Sequence, residues 1–222
     1  MIFIAHRGNN NDKNNNRELG LINSLKKDYI DGIELDVRMT KDKQIIINHN
    51  TFLNIENSLG FKNISKNSLK ELKKYDYELD GNPYKIMTLN ELLKKIKSNK
   101  IILIEAKVDN NNYIKMANVI YKIIKKYKNL NIQICSFNYE FACYFSKKHK
   151  NYKVILLKGY MINTNKDDSL FKLLSINYRE KREINKKYYV WTLNEKKEFK
   201  KLKNEKNIIG IISDRCKDIN DY

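Results

Sequence analysis

"GIELDVRMTKDKQIIINHN", residues 32–50, opens as a β-strand. Ile33, Leu35 and Val37 alternate with Gly32, Glu34 and Asp36, so the two carboxylates share one face of the strand. A strand buried between layers carries apolar side chains on both faces. Glu34 and Asp36 therefore need a place where charge is useful, and His49 closes the same segment.

Similar short, β-branched runs recur along the chain: "MIFIA", "GIELDV", "IILIEA", "IQICSF", "KVILLK", "LLSINY", "YYVWTL" and "IIGIIS". Helical patterns separate most of them, including "RELGLINSLKKDY", "TLNELLKKIKSN", "NNYIKMANVIYKIIKKY", "YEFACYFSKKH" and "EKKEFKKLKN". Alternation of this kind implies parallel strands with crossover helices. Eight such units favour an α/β fold of the TIM (β/α)8 barrel type, with an open doubly wound sheet as the alternative. No Gly-rich phosphate loop follows any strand, which weakens a nucleotide-binding version of the open sheet.

Two departures from regular alternation are expected. Between Asn48 and Met87 the chain carries "SLKELKKY" and its one proline, Pro83, which reads as a small inserted subdomain at about 49–86 within a single domain spanning 1–222. Between Tyr178 and Tyr188, "REKREINKK" is too short for a full barrel helix, so the sixth crossover is shortened to a turn or one helical turn. "NNNDKNNN" reads as a flexible loop.

The 222 residues carry a formal net charge of +18, which invites a nucleic-acid reading. The lysines are spread over helical stretches as solvated faces, however, and Asn, Lys, Ile and Tyr are enriched together as an AT-rich coding sequence would produce. No specific nucleic acid partner is expected, while weak attraction to anionic membrane surfaces remains. Cys135, Cys143 and Cys216 show neither metal spacing nor a disulfide framework. "MIFIAHRG" has the pattern of neither a signal peptide nor a transmembrane segment, so the expected location is cytoplasmic.

A TIM barrel gathers its chemistry at the C-terminal ends of its strands. Those ends carry His6 and Arg7, then Glu34 and Asp36, then Glu105 and Lys107. Further round come Ser136, Phe137 and Asn138, Lys158, Trp191 and Asn194, and finally Ser213 and Asp214. Three carboxylates converging on one mouth repel unless a cation sits among them, and an all-oxygen set selects Mg²⁺ or Ca²⁺ over zinc. Flanking imidazoles at His6 and His49 can divide proton removal and proton delivery on a phosphodiester, with Arg7 and Lys107 facing the phosphoryl oxygens. Each residue also has a plainer reading. Glu34 and Asp36 can pair with Arg38 or Lys41, Glu105 with Lys107, Trp191 can be core, and His149 reads as surface.

In order, "IAHRG", "GIELDVRMTKD", "INHN", "LIEAK", "CSFN", "VWTLN" and "GIISD" resemble the motifs of the glycerophosphodiester phosphodiesterases, from Phe3 to Asp214. The resemblance implies a TIM barrel with an insertion after the second strand. It implies one divalent cation held by Glu34, Asp36 and Glu105, catalytic His6 and His49, phosphate binding by Arg7 and Lys107, and Trp191 at the glycerol end of the pocket. The implied reaction is hydrolysis of a glycerophosphodiester to glycerol 3-phosphate and an alcohol. The sequence departs from the family pattern at Asn50, where Asp is usual, at Leu19 and Gly20 after Glu18, and at Met87 in place of proline. Two other readings stand beside it: a phospholipase D-type enzyme acting on lysophospholipid or sphingolipid, and an inactive basic binding protein on the same barrel.

Overall fold

Eight parallel strands close on themselves in the computed structural model, which describes residues 1–8, 16–79, 82–109, 111–163, 165–180 and 185–220. Strands β1 (Ile2–Ala5) and β2 (Gly32–Met39) begin the barrel, and β3 (Ile45–Ile47) folds back antiparallel on the far end of β2. A separate antiparallel sheet follows, made of β4 (Phe52–Ile55), β5 (Phe61–Asn63), β6 (Tyr77–Leu79) and β7 (Asn82–Tyr84) in the order β5-β4-β6-β7. The barrel resumes with β8 (Ile101–Ala106), β9 (Asn131–Ser136), β10 (Lys153–Lys158), β11 (Leu173–Asn177), β12 (Lys187–Trp191) and β13 (Ile208–Ser213). Pairing of β1 with both β13 and β2 closes the ring.

Helix α1 (Glu18–Leu25) follows β1, α2 (Leu69–Leu72) lies in the insertion, and α3 (Leu89–Lys95), α4 (Tyr113–Ile124) and α5 (Tyr139–Lys148) precede β8, β9 and β10. Helix α6 (Lys196–Leu202) precedes β13, and α7 (Cys216–Asn220) follows it. Thr88 starts α3 with a reciprocal capping box to Glu91, which satisfies two of the helix's free N–H groups. None of the described helices is long and apolar enough to cross a membrane.

The period of two in each strand sorts the side chains into two layers. Phe3, Ile33, Leu35, Ile102, Ile104, Ile134, Leu156 and Leu174 belong to the larger cluster, which also holds the buried faces of the helices. Ile4, Ile101, Leu103, Cys135, Ile155, Leu157, Leu173, Tyr189 and Ile212 fill the barrel interior. Residues of the second set share parity with His6, Glu34, Asp36, Glu105, Lys107, Trp191 and Asp214. The polar groups are thus the upper continuation of the apolar plug.

The eight strand runs and the helical patterns read from the sequence all appear. Between β3 and α3 the chain forms the four-stranded antiparallel sheet beside α2, and Leu53, Ile64, Leu72 and Tyr77 pack there with Ile46 of β3 and with Ile86. Residues 9–15 of the expected flexible loop, and residues 181–184 of the shortened sixth crossover, lie outside the described residues. His149 corrects the surface reading: it is buried, and its ring stacks on Tyr121 at 3.8 Å and 9°. It follows the lysine-bearing end of α5, where the lysines reach solvent and the uncharged ring fills the gap against α4.

Gly8 sets the entry into the first loop. Its φ is +64°, and a Cβ there would lie 2.7 Å from the Leu21 Cα, so both the backbone region and the space require glycine. Gly8→Ala is expected to cost at least about 2 kcal/mol, read as a fall of ~4–8 °C in the melting temperature. An unchanged melting temperature would contradict this packing.

Candidate active site

Register places the acidic groups. Asp36 on β2 stands directly beside Glu105 on β8, and Glu34 lies one pleat below Asp36 on the same face. Their carboxylate oxygens lie within 4.8 Å of one another, and all three side chains are buried. Such a trio is held against its own repulsion only by compensating charge.

Two cations supply part of it. Arg7 Nε lies 3.1 Å from Asp36 Oδ2, and Lys107 Nζ lies 3.1 Å from Asp36 Oδ1 and 2.5 Å from Glu105 Oε1. Burial pushes the Asp36 carboxyl up, but Lys107, Arg7, His49 and the Asn16 amide outweigh it and leave the group below its ordinary value. Burial and the Asp36 charge push Glu105 up to about 7, against the pull of Lys107. Glu34 is raised well above the ordinary carboxylate range by burial and by the charges of Asp36 and Glu105, with Arg7 opposing. Its Oε2 accepts the Arg7 backbone N–H at 3.0 Å, while its buried Oε1 has no hydrogen-bond partner.

Three ionised carboxylates against two cations would leave one negative charge uncompensated, and the deficit shows in the raised Glu34 and Glu105 carboxyls, the Oε1 atoms of which have no hydrogen-bond partner. A buried, all-oxygen donor set with two oxygens lacking a hydrogen-bond partner suits a hard divalent cation. The residues therefore fit the ion that the sequence pattern implies.

His6 sits in a 3₁₀ turn at the end of β1, with Nε2 3.9 Å from Glu34 Oε2. Its Nδ1 is 2.8 Å from Asp214 Oδ1, and Asp214 Oδ2 accepts from Asn194 Nδ2 at 2.8 Å. Burial raises the Asp214 carboxyl, but the His6 hydrogen bond and charge and the Asn194 amide bring it below its usual range. An ionised carboxylate at Nδ1 fixes the imidazole's orientation and leaves Nε2 facing the acidic groups. The next residue, Arg7, has φ +53°, a costly conformation for a side chain of its size. That geometry aims its N–H at Glu34 and its guanidinium at Asp36.

His49 comes back to the mouth because β3 folds onto β2: the Asn48 N–H donates to the Asp36 carbonyl at 3.0 Å. Its Nδ1 lies 2.9 Å from Asn50 Oδ1. Burial lowers the imidazole's affinity for a proton, with the Asp36 charge opposing. Arg38 is not a partner of the acidic trio; it donates to the His49 carbonyl at 2.8 Å and pairs with Asp109 at 2.7 Å. Glu105 and Lys107 do pair with one another, as the plainer sequence reading had it.

Trp191 ends β12 at the side of the mouth, in edge contact with Phe137 at 5.3 Å and Tyr160 at 5.5 Å. Gly159 leaves it room, since a Cβ there would lie 2.9 Å from the indole Cζ2. Lys158 is not part of this group. It has the opposite parity and is spent on Asp168, at 2.5 Å, which also receives Lys186 at 2.8 Å.

Asn16 carries no weight in the sequence reading. Its Nδ2 donates to Asp36 Oδ2 at 2.7 Å, and its Oδ1 accepts the Asp36 N–H at 3.0 Å. It belongs to a run of asparagines that look alike in sequence, and no local signal separates it from its neighbours. Asp214 and Asn194 read in sequence only as polar strand-end residues; the signal for Asp214 is the β1–β13 register, which brings it beside His6.

The sequence model of the Glycerophosphoryl diester phosphodiesterase family matches residues 6–218. An uncharacterized protein of Mycoplasma genitalium is 31% identical over 175 residues, covering 75% of this chain and 69% of that protein. Among solved structures, an Oleispira antarctica phosphodiesterase in complex with the product sn-glycerol-3-phosphate superposes with a TM-score of 0.84 at 20% identity, covering 100% of this chain and 96% of that one. A Thermotoga maritima glycerophosphodiester phosphodiesterase gives 0.72 at 25% identity, covering 97% and 95%.

Glu105 holds its proton more tightly in the folded chain than in the unfolded one. Its contribution to stability is therefore complete below the ordinary value of 4.5 and is lost as pH rises through about 7. In chelator, calorimetric melting is expected to fall more steeply from about pH 5 to 8 for the native chain than for Glu105→Gln. A parallel pH dependence in the two proteins would contradict the charge balance described above.

Proposed function

The chain belongs to the glycerophosphoryl diester phosphodiesterase family, a family of enzymes, and on that premise we propose that it hydrolyses glycerophosphodiesters to glycerol 3-phosphate and an alcohol. The observation that carries the reading is the buried carboxylate trio, within 4.8 Å and with Glu34 Oε1 and Glu105 Oε1 lacking hydrogen-bond partners, beneath the His6 imidazole. Glu34, Asp36 and Glu105 hold one divalent cation, Mg²⁺ or Ca²⁺, which when bound supplies positive charge to the phosphoryl oxygens.

His6 and His49 carry the protons. The substrate's 2-hydroxyl attacks phosphorus, one imidazole taking its proton while the other protonates the departing alkoxide, and a cyclic phosphate results. Water then opens the ring with the roles exchanged, which returns both imidazoles to their starting states. Asp214 positions His6 for both steps by holding Nδ1. Asn50 does the corresponding work for His49 without a charge. Arg7 and Lys107 face the phosphoryl oxygens, whose negative charge grows in the transition state. Trp191 lines the glycerol end, where an apolar ring suits the carbon skeleton of the substrate.

A second reading, a phospholipase D-type reaction on lysophospholipid or sphingolipid, draws support from exposed apolar side chains on the β4–β5 turn and on the loop after β10, among them Leu59 and Met161. It uses the same groups on a longer substrate.

Glycerol 3-phosphate release from glycerophosphocholine and glycerophosphoethanolamine separates the readings. The expected result is activity abolished by chelator, restored by a divalent cation, and reduced about 10²–10⁴-fold in His6→Ala and in His49→Ala. Asp214→Asn should lower kcat by at least about tenfold and alter the pH profile with little change in KM. Release of the head-group alcohol from lysophospholipid, with no glycerol 3-phosphate from either soluble diester, would move the assignment to the second reading. Release from neither with any divalent cation would remove the enzymatic assignment.

A further inference from the structure

Two clusters of exposed apolar side chains flank the mouth. On the insertion, Phe52 and Phe61 meet edge to face at 5.0 Å, and Leu59 in the turn between β4 and β5 is 103% exposed. Phe61 stands opposite Asn54 in the hairpin, so it shares a face with Phe52, two residues earlier. After β10, Tyr160, Met161 and Ile162 form the second cluster, with Met161 89% exposed.

The second cluster is a strained turn. Gly159 and Ile162 exchange backbone hydrogen bonds at 3.2 and 2.9 Å around Tyr160 and Met161, whose φ angles are +50° and +65°. A two-residue turn with both central residues left-handed normally holds Asn or Gly. Tyrosine and methionine there cost conformational energy, and Met161 remains 89% exposed at the tip. The turn is nevertheless well anchored. Asn163 donates to the carbonyls of Phe137 at 2.7 Å and Leu157 at 2.9 Å, and Asp168 ties the same loop to Lys158 and Lys186. The fold thus holds the Met161 side chain outward on a fixed support, with the neighbouring Tyr160 ring against Trp191.

The two clusters are not neighbours. The insertion follows the β2–β3 unit, and the second turn follows β10, three strands further round the closed ring. Both lie on the side of the barrel where the strands end. A flat surface laid across the mouth can meet both with no special shape of its own. The net charge of +18 draws the protein toward an anionic surface. The described part of the loop after β10 balances Lys166 and Lys172 against Asp167 and Asp168, so its tip meets no strong field of its own. We propose that the barrel mouth docks on an anionic lipid bilayer, with Leu59 and Met161 entering the boundary between headgroups and acyl chains. Docked in this way, the mouth faces the leaflet from which a lipid-derived diester would come.

Co-sedimentation with vesicles of phosphatidylcholine, with and without phosphatidylglycerol, tests this with no need for catalysis. The expected result at about 0.15 M salt is sedimentation with the anionic vesicles, weakened at high salt. A doubly substituted Leu59→Ser, Met161→Ser protein should lose binding by about tenfold or more and keep its melting temperature and its activity on glycerophosphocholine. Absence of binding by the native chain would overturn the proposal, as would equal binding by the variant, which assigns it to the basic surface alone. A native dimer in solution that the double substitution turns into monomer would also overturn it, by giving the two tips to a second copy of the chain.

Discussion

Mutual repulsion among Glu34, Asp36 and Glu105 is the constraint on which the rest of the mouth depends. The barrel sets three carboxylates side by side because two of them are pleat neighbours on β2 and the third is in register on β8. An unpaired charge in such a place costs several kcal/mol. Arg7 and Lys107 are therefore drawn onto Asp36 and Glu105, the Arg7 backbone is held left-handed so that its N–H reaches Glu34, and Asn16 is recruited to Asp36 from the first loop. With all three carboxyls ionised one negative charge would still remain, and it is the charge that a divalent cation would meet.

The imidazoles are delivered to this centre by different means. His6 is placed by its strand and held from behind by Asp214, which is itself held by Asn194, so three strand ends contribute to one ring orientation. His49 depends on a reversal: β3 pairs back on Val37–Met39 and returns the chain to Asp36 before the insertion leaves the barrel. Each histidine is thus positioned from a different wall of the mouth. That arrangement suits a reaction needing a proton removed on one side of phosphorus and delivered on the other.

Much of this was legible in the sequence because strand parity is a strong signal. Alternation in "GIELDV" and "IILIEA" fixed which residues face inward, and the eight runs between helical stretches gave the barrel. The insertion was harder to read. Its strands are only three or four residues long, too short for alternation to stand out, so only the helical piece near Ser68 showed. Asn16 was hidden in a run of identical residues, since its role comes from a contact across the mouth. His149 looks like surface in sequence because adjoining lysines mark a solvated face, while the stacking partner Tyr121 lies on another helix. The left-handed Tyr160–Met161 turn broke the usual preference for Asn and Gly, and a sequence rule built on that preference passes over it.

The most direct test of the charge argument is calorimetric titration of the metal-free chain with Mg²⁺ and with Ca²⁺, beside Asp36→Asn. The account predicts one site per chain, binding that tightens as pH rises through about 7 as Glu105 ionises, and loss of that site in the variant. Absence of binding in the native chain, or binding unchanged by Asp36→Asn, would show that Arg7 and Lys107 already balance the trio and that no cation belongs there.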